Sequence, residues 1–193
     1  MPAPRTINIS MEKTILLSLF ALNLVLAKAQ VYTTRNGFIG FYSKTPLEDI
    51  KAENKQAYAV IDAGKRMLGF NLLVKGFSFT KNLMQTHFNE NYIESDKYPK
   101  AEFKGSITNN SAVNYKKDGT YPAKVKGKLT IHGVTKDVES TGTLKINGGK
   151  IDANSTFNVL ISDYNIKIPA VVKDKVSNTI KITVDCNLEP LKS

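Results

Sequence analysis

The amino-acid sequence predicts an all-β protein: a closed, extended antiparallel β-barrel of about eight strands, with one or two short helices. Apolar and polar residues alternate along these segments, and a period of two places the apolar side chains on one face of a sheet. Glycine-containing turns join several segments, and such short connections make neighbouring strands pair antiparallel. Several segments reach about ten residues, longer than the usual five or six, which favours a tilted barrel over the alternative, a two-sheet sandwich.

Residues 1–29 are predicted to be an N-terminal extension and a secretory signal peptide, the signal itself covering about 11–29. The run Ile15–Ala27 has no charged residue, follows a lysine, and leads into an Ala-Lys-Ala cleavage pattern. A membrane-spanning helix needs about 20 apolar residues, so this run is too short for one. We therefore expect residues 30–193 to form a single barrel domain that is periplasmic or secreted.

The strands are predicted from the alternation alone. The clearest case is Ile151–Ile161, in which Ile, Ala, Ser, Phe and Val alternate with Asp, Asn and Thr. In chain order the candidate strands are Gly37–Ser43, Gln56–Asp62, Met67–Phe79, Ala101–Ile107, Val125–Ile131, Thr135–Ile146, Ile151–Ile161 and Ile180–Leu188. Tight turns are expected at three glycine-containing segments, because glycine readily adopts positive φ angles. These segments are Asp118-Gly119, His132-Gly133 and Asn147-Gly148-Gly149.

Helix is predicted at two places only. Thr45-Pro46-Leu47-Glu48 has the residues of a capping box with a proline at the first helical position, which supports one or two turns. The segment Thr80–Phe88 is the second candidate, since Leu83, Met84 and Phe88 would share one side of a helix.

The sequence has none of the common catalytic motifs, such as a Gly-x-Ser-x-Gly elbow, a phosphate-binding glycine loop or His-Glu-x-x-His. Two histidines and one cysteine do not make a closed zinc site, so no metal is expected. His87 and His132 lie near predicted turns and are expected to form hydrogen bonds there, while Cys186 shares the apolar parity of its strand and is expected to be buried. We predict a protein that is not an enzyme; an enzyme that uses the histidines is the weakest alternative.

The formal net charge of +10 comes from dispersed lysines rather than from one basic patch. Lys124, Lys126 and Lys128, for example, form the outer face of a strand whose inner face is apolar. Single-stranded nucleic acids are bound by basic grooves with interleaved aromatic residues, a pattern that this sequence lacks. We therefore expect no nucleic-acid partner, and a solvated exterior that makes at most transient contact with an anionic membrane surface.

The inner face of the predicted barrel is apolar, and two interpretations of it remain open. Either these side chains fill the interior as a core, or they line a cavity that holds an apolar ligand. The residues expected to line such a cavity are Phe70, Leu72, Phe77, Phe79, Phe103, Leu129, Ile131, Phe157, Val159 and Ile161.

Four segments in order resemble the YceI-like family of exported, lipocalin-like, polyisoprenoid-binding proteins. These are Met84–Asn89 (MQTHFN), Lys97–Gly105 (KYPKAEFKG), Lys128–Lys136 (KLTIHGVTK) and Ser162–Pro169 (SDYNIKIP). The resemblance extends over roughly Gly37–Leu188. It weakens at the N-terminal strand, Val31–Ser43, which lacks the tryptophan often found there in the family, and at Lys44–Lys55.

The resemblance implies a lipocalin-like, lipid-binding barrel in the periplasm, without catalysis and without a cofactor other than the bound lipid. The implied function is that of a carrier for a long apolar amphiphile, a polyisoprenoid or an isoprenoid quinone, held in an apolar tunnel. An acyl chain would suit the same tunnel. His87 and Asn89 are the candidates for contact with a polar headgroup at the tunnel mouth. A homodimer is a further expectation. The alternative function is an exported structural or interaction module, related to stress, with a filled core and no ligand.

Overall fold

The computed structural model describes residues 30–191. The predicted N-terminal extension and signal peptide, which together cover residues 1–29, lie outside this range and stay a prediction. In the described part of the chain, no helix is both long and apolar enough to cross a membrane. Nine strands make up most of it: β1 (Val31–Lys44), β2 (Asp49–Asp62), β3 (Met67–Leu73), β4 (Ser78–Phe79), β5 (Lys100–Ile107), β6 (Gly119–Ile131), β7 (Val134–Asn147), β8 (Lys150–Leu160) and β9 (Thr179–Pro190).

Eight of these strands close into an antiparallel barrel, as the alternation predicted. Their order around the barrel is β1, β9, β8, β7, β6, β5, β3, β2, and β2 pairs with β1 to complete the ring. The two-residue strand β4 is an addition that pairs with the first half of β2. Apart from this addition each strand pairs with its sequence neighbour, and β9 returns to β1. The predicted sandwich alternative is therefore wrong.

The prediction of one continuous strand over Met67–Phe79 is wrong, because the strand is broken at Val74–Gly76 by a turn of 3-10 helix. The buried side chain of Asn54 accounts for the break. Its amide Nδ2 donates to the carbonyl of Leu73 at 2.9 Å, so a side chain occupies the acceptor that a continuing strand would use. The chain then pairs with β2 again as the two-residue strand β4.

Of the two predicted helices, one is present. Helix α1 covers Asn82–His87 and continues into a π-helical turn at Phe88–Tyr92. Thr45–Glu48 is instead the loop of the β1–β2 hairpin. The Thr45 hydroxyl accepts from the backbone N–H groups of Leu47 and Glu48, at 3.3 and 3.0 Å. These are the bonds of a helix N-cap, but here they close a turn between two long paired strands.

Two predicted hairpin turns are tight two-residue turns with positive φ at both positions. They are His132-Gly133, with φ of 52° and 72°, and Gly148-Gly149, with φ of 55° and 76°. Such turns match the twist of the strands that they connect.

The barrel has two ends of different character. The mouth end is formed by the connections 45–48, 74–99, 132–133 and 161–178, and the floor end by 63–66, 108–118 and 148–149 together with Gln30 and Leu191. The floor end is filled by a hydrophobic core that includes Tyr32, Ile61, Tyr115, Ile146, Ile151, Cys186 and Leu188. Cys186 is fully buried in this core, as its parity predicted.

Candidate functional site

The interior of the barrel contains a cavity of about 560 Å³. Its wall is mostly apolar and extends from Ile61 and Ile107, near the floor end, to Leu83 and Lys175 at the mouth end. Leu83 and Lys175 are exposed to solvent, so the cavity reaches the surface at the mouth end. The barrel is therefore not completely filled by its own side chains.

All ten residues that were predicted from parity to line a cavity do line it. Strands β3, β5, β6 and β8 contribute seven of them, the segment after β3 contributes two aromatic rings, and Ile161 follows β8 directly. They are Phe70, Leu72, Phe77, Phe79, Phe103, Leu129, Ile131, Phe157, Val159 and Ile161. That these residues bind a ligand stays a prediction.

An aromatic cluster forms part of the cavity wall toward the mouth end. It consists of Phe41 from β1, Phe77, Phe79 from β4 and Phe88 from the π-helical turn, with ring centroids 5.1 to 5.9 Å apart. The rings meet mostly edge-on or tilted, the arrangement that aromatic pairs prefer. Phe41 and Phe88 were not among the predicted wall residues. The alternation of Ile39, Phe41 and Ser43 along β1 is the signal that would have identified Phe41.

The rim of the mouth holds a few polar groups. Lys81 forms an ion pair with Glu48 at 2.9 Å, which joins the segment before α1 to the β1–β2 loop. His87 lies at the rim as the last residue of α1, and Lys175 lies at the rim in the 3-10 helix Ala170–Lys175. These are the groups nearest to solvent that a polar headgroup could contact.

The two residues predicted to contact a headgroup are not brought together. His87 lines the cavity, whereas Asn89 is absent from its wall. The Asn89 amide Nδ2 donates to the carbonyl of Gln85 at 3.0 Å, and its backbone carbonyl accepts from Ser95. Asn89 thus holds the end of α1, because it lies one helical turn after Gln85 and faces back along the helix.

His132 connects the β6–β7 turn to both long connections of the mouth end. It is buried, with Nδ1 at 3.0 Å from the carbonyl oxygen of Tyr164 and Nε2 at 2.8 Å from Glu94 Oε2. The ring of Tyr98 packs edge-to-face against the imidazole, with centroids 4.5 Å apart. The hydrogen bond from His132 holds the pKa of the Glu94 carboxyl below its usual value of 4.5. His132 therefore has the hydrogen-bonding role in a turn that the sequence predicted.

No group of three or more His, Cys, Asp or Glu side chains that could hold a metal ion occurs within residues 30–191. The cavity offers apolar contact and a polar rim, and the arrangement suits binding of an amphiphile more than acid–base chemistry.

Solved structures with the same fold come from several bacteria. A polyisoprenoid-binding domain from Saccharophagus degradans, described as implicated in plant cell wall breakdown, superposes with a TM-score of 0.74 at 11% identity, covering 85% of this chain and 100% of that one. BcnA from Burkholderia cenocepacia gives 0.63 at 18% identity, with 79% and 94% covered.

The YceI protein of Campylobacter jejuni gives a TM-score of 0.55 at 19% identity, with 74% of this chain and 85% of that chain covered. At these identities the likeness concerns the fold. A comparison with curated protein sequences produced no significant match. The model of the YceI-like domain matches residues 29–188, and the chain belongs to the YceI-like domain family.

Proposed function

We propose that this protein is a periplasmic carrier for a long apolar amphiphile, a polyisoprenoid or an isoprenoid quinone, which it holds in the barrel cavity. The observation that supports this most directly is the 560 Å³ apolar cavity, open at the mouth end, inside a YceI-like barrel. A related barrel from Saccharophagus degradans is a polyisoprenoid-binding domain. The alternative, an interaction module with a filled core, fits this cavity less well.

The cavity suits such a ligand physically. Its volume lies within the range of about 300 to 1,000 Å³ that small-molecule sites occupy. Each CH₂ group that leaves water for an apolar wall contributes about 0.8 kcal/mol, so a long chain binds tightly with few polar contacts. The wall consists mostly of aromatic and branched aliphatic side chains, and both lysines that line the cavity, Lys81 and Lys175, lie at the rim. A molecule with a long apolar chain and one polar end matches this distribution.

The proposal also covers location, partners and chemistry. The predicted signal peptide supports export, and the lysines on the outer faces of the strands favour a brief encounter with an anionic membrane, from which a lipid would be collected. In this role the protein binds and releases its ligand without changing it. A homodimer stays a prediction, which sedimentation velocity would test.

The direct test is to identify what the protein contains. Mature protein would be extracted with organic solvent and the extract analysed by mass spectrometry, with a parallel extract from an unrelated exported protein of similar charge as control. We expect about one isoprenoid or acyl-chain molecule per protein. Protein that contains no lipid and does not take up an added isoprenoid alcohol or quinone would contradict the proposal.

A second test uses the absence of tryptophan from the sequence. Phe103→Trp places a single fluorophore on the cavity wall, and Tyr58→Trp places one on a β2 residue that does not line the cavity. Addition of the ligand should change the emission of the first variant and leave the second unchanged. Equal responses would indicate lipid adsorbed to the outside of the barrel.

A further inference from the structure

The wall of the barrel is incomplete between β7 and β8. Strand β7 pairs with β6 along its whole length, from Gly119↔Ile146 to Ile131↔Val134, and β8 pairs with β9 up to Leu160↔Thr179. The pairing of β7 with β8, however, runs only from Asn147↔Lys150 to Gly142↔Ser155. Beyond that point the two strands continue toward the mouth end with no backbone hydrogen bonds between them.

Side chains close part of this gap. At its lower limit the Ser155 hydroxyl donates to the carbonyl of Thr141 at 2.9 Å, just after the last backbone pair. Toward the mouth end Val138 packs into a cluster with Val159, Ile161 and Tyr164. The remaining gap lies between Glu139–Thr141 of β7 and Thr156–Phe157 of β8, and we call it the window.

At the window an outer surface pocket shares wall residues with the cavity. The outer pocket is lined by Thr108, Lys124, Lys126, Glu139, Thr141 and Thr156, together with three residues that it shares with the cavity wall. These three are Val125, Ser140 and Phe157, all only partly buried. Only side chains, and no backbone hydrogen bonds, therefore stand between the cavity and the solvent at this place.

The chemistry outside the window suits the polar end of an amphiphile. Lys126 pairs with Glu139 at 2.8 Å, and within residues 30–191 Lys124 has no carboxylate at ion-pair distance, which leaves one positive charge beside the opening. Hydroxyl groups of Thr141 and Thr156 lie at the same edge. The three residues that the cavity and the outer pocket share are Val125, Phe157 and Ser140, so the layer between them is less polar than the outer pocket.

The other two routes to the cavity are the floor end and the mouth end. The floor end is closed by the hydrophobic core. The mouth end is open to solvent at Leu83 and Lys175. Its two long connections, however, are held together through His132, Glu94 and the Tyr164 carbonyl. Opening the window requires rotation of side chains such as Phe157 and Ser140, which is faster than moving hydrogen-bonded backbone.

We propose that the window between β7 and β8 is a side portal through which a long-chain amphiphile with an anionic or hydroxyl end enters and leaves the cavity. The proposal rests on the proposed function, since it assigns the route of that same ligand. It predicts that an obstacle at the window slows association and dissociation alike and leaves the dissociation constant unchanged, because a route affects rates in both directions.

The experiment places one bulky label at each of three exposed positions, through Thr156→Cys at the window, Leu47→Cys in the β1–β2 loop of the mouth end and Lys145→Cys on the outer face of β7. A polyethylene glycol maleimide would be attached to each introduced thiol. The label is selective because native Cys186 is buried and out of reach of the reagent. Mass spectrometry confirms one label per molecule. Stopped-flow fluorescence with cis-parinaric acid measures uptake, and displacement by excess oleate measures release.

The label at Thr156→Cys should slow uptake and release by about tenfold or more, while the labels at Leu47→Cys and Lys145→Cys change them less than about twofold. Slowing by the Leu47→Cys label that equals or exceeds slowing by the Thr156→Cys label would overturn the portal. Unaltered rates in all three labelled variants would overturn it as well. If unlabelled protein takes up neither this probe nor an isoprenoid alcohol, the proposed function fails, and the portal with it.

Discussion

His132 Nε2 lies 2.8 Å from Glu94 Oε2, and this contact joins the β6–β7 turn to the 74–99 connection across the mouth end of the barrel. The other ring nitrogen faces the Tyr164 carbonyl, which can only accept, so Nδ1 carries a hydrogen. One buried imidazole thus links three connections that lie far apart in sequence.

The link predicts acid sensitivity. The pKa of Glu94 is held below 4.5 by the His132 hydrogen bond. A carboxyl whose folded pKa is depressed stabilises the fold above its unfolded pKa, and this contribution is lost as the pH falls through the folded value. We expect the urea concentration at the unfolding midpoint of the native protein to decrease as the pH is lowered below about 4.5. In Glu94→Gln this decrease should be smaller. Glu90→Gln, an exposed carboxylate in the same connection, is the control and should keep the native profile. An unchanged acid profile in Glu94→Gln would contradict this role.

The Cys186 thiol should not react with alkylating reagents in the folded protein. It is fully buried, and burial raises its pKa to about 12. Because the thiolate is the reactive form, iodoacetamide at pH 8 should not modify the native protein, whereas urea-unfolded protein should be modified completely. Mass spectrometry counts the adducts. Rapid modification without denaturant would show that the floor end opens readily.

The floor core should provide much of the stability. Leu188 is fully buried opposite Ile151 on the neighbouring strand, so Leu188→Ala leaves a cavity and should reduce the free energy of unfolding by about 2 to 5 kcal/mol. Leu191→Ala removes the same atoms from a side chain that is 61% exposed, three residues further along, and should change it by less than about 0.5 kcal/mol. Urea titration measures both values, and similar losses would argue against a packed floor.

The two glycine turns should differ in how well they tolerate a substitution by alanine. Both need positive φ, but a Cβ on Gly133 would lie 2.6 Å from Tyr98 Cε1, whereas one on Gly148 has no atom within 4 Å. Gly148→Ala should therefore cost only the backbone strain, about 1 to 2 kcal/mol. Gly133→Ala should cost about 1 to 3 kcal/mol more, because Tyr98 must move. Thermal unfolding of the two variants tests this order, and equal losses would show that Tyr98 adjusts freely.

The rim position of His87 predicts a contribution to ligand binding that depends on the headgroup. His87→Ala should weaken binding of an isoprenoid alcohol about three- to tenfold, the equivalent of one hydrogen bond, and leave an isoprenoid hydrocarbon of equal length unaffected. Thr86→Ala is the matched control, since Thr86 precedes His87 on α1, is exposed and does not line the cavity. Fluorescence titration of the Phe103→Trp background reports both. A loss shared by alcohol and hydrocarbon would assign His87 a structural role.

The wall of the candidate site was predictable because strand parity is a local property. A residue such as Leu129 or Phe157 faces inward whenever its neighbours alternate, and no distant contact is needed to decide this. The local signals that misled the prediction were those compatible with two different structures. Thr45 forms cap-like hydrogen bonds in a hairpin loop as well as in a helix, and the strand beginning at Met67 is interrupted by an asparagine 19 residues away from its bonding partner.

The amino-acid sequence was enough to predict the class of fold, most of the inward-facing residues, the tight glycine turns and the membership in the YceI-like family. Whether the interior is open was decided by the tertiary structure, because the distance between opposite walls depends on how many strands close the ring and how they are staggered. The same holds for the gap between β7 and β8 and for the contact of His132 with Glu94, 38 residues away. These features arise from the relative placement of strands and connections, which alternation along one strand does not encode.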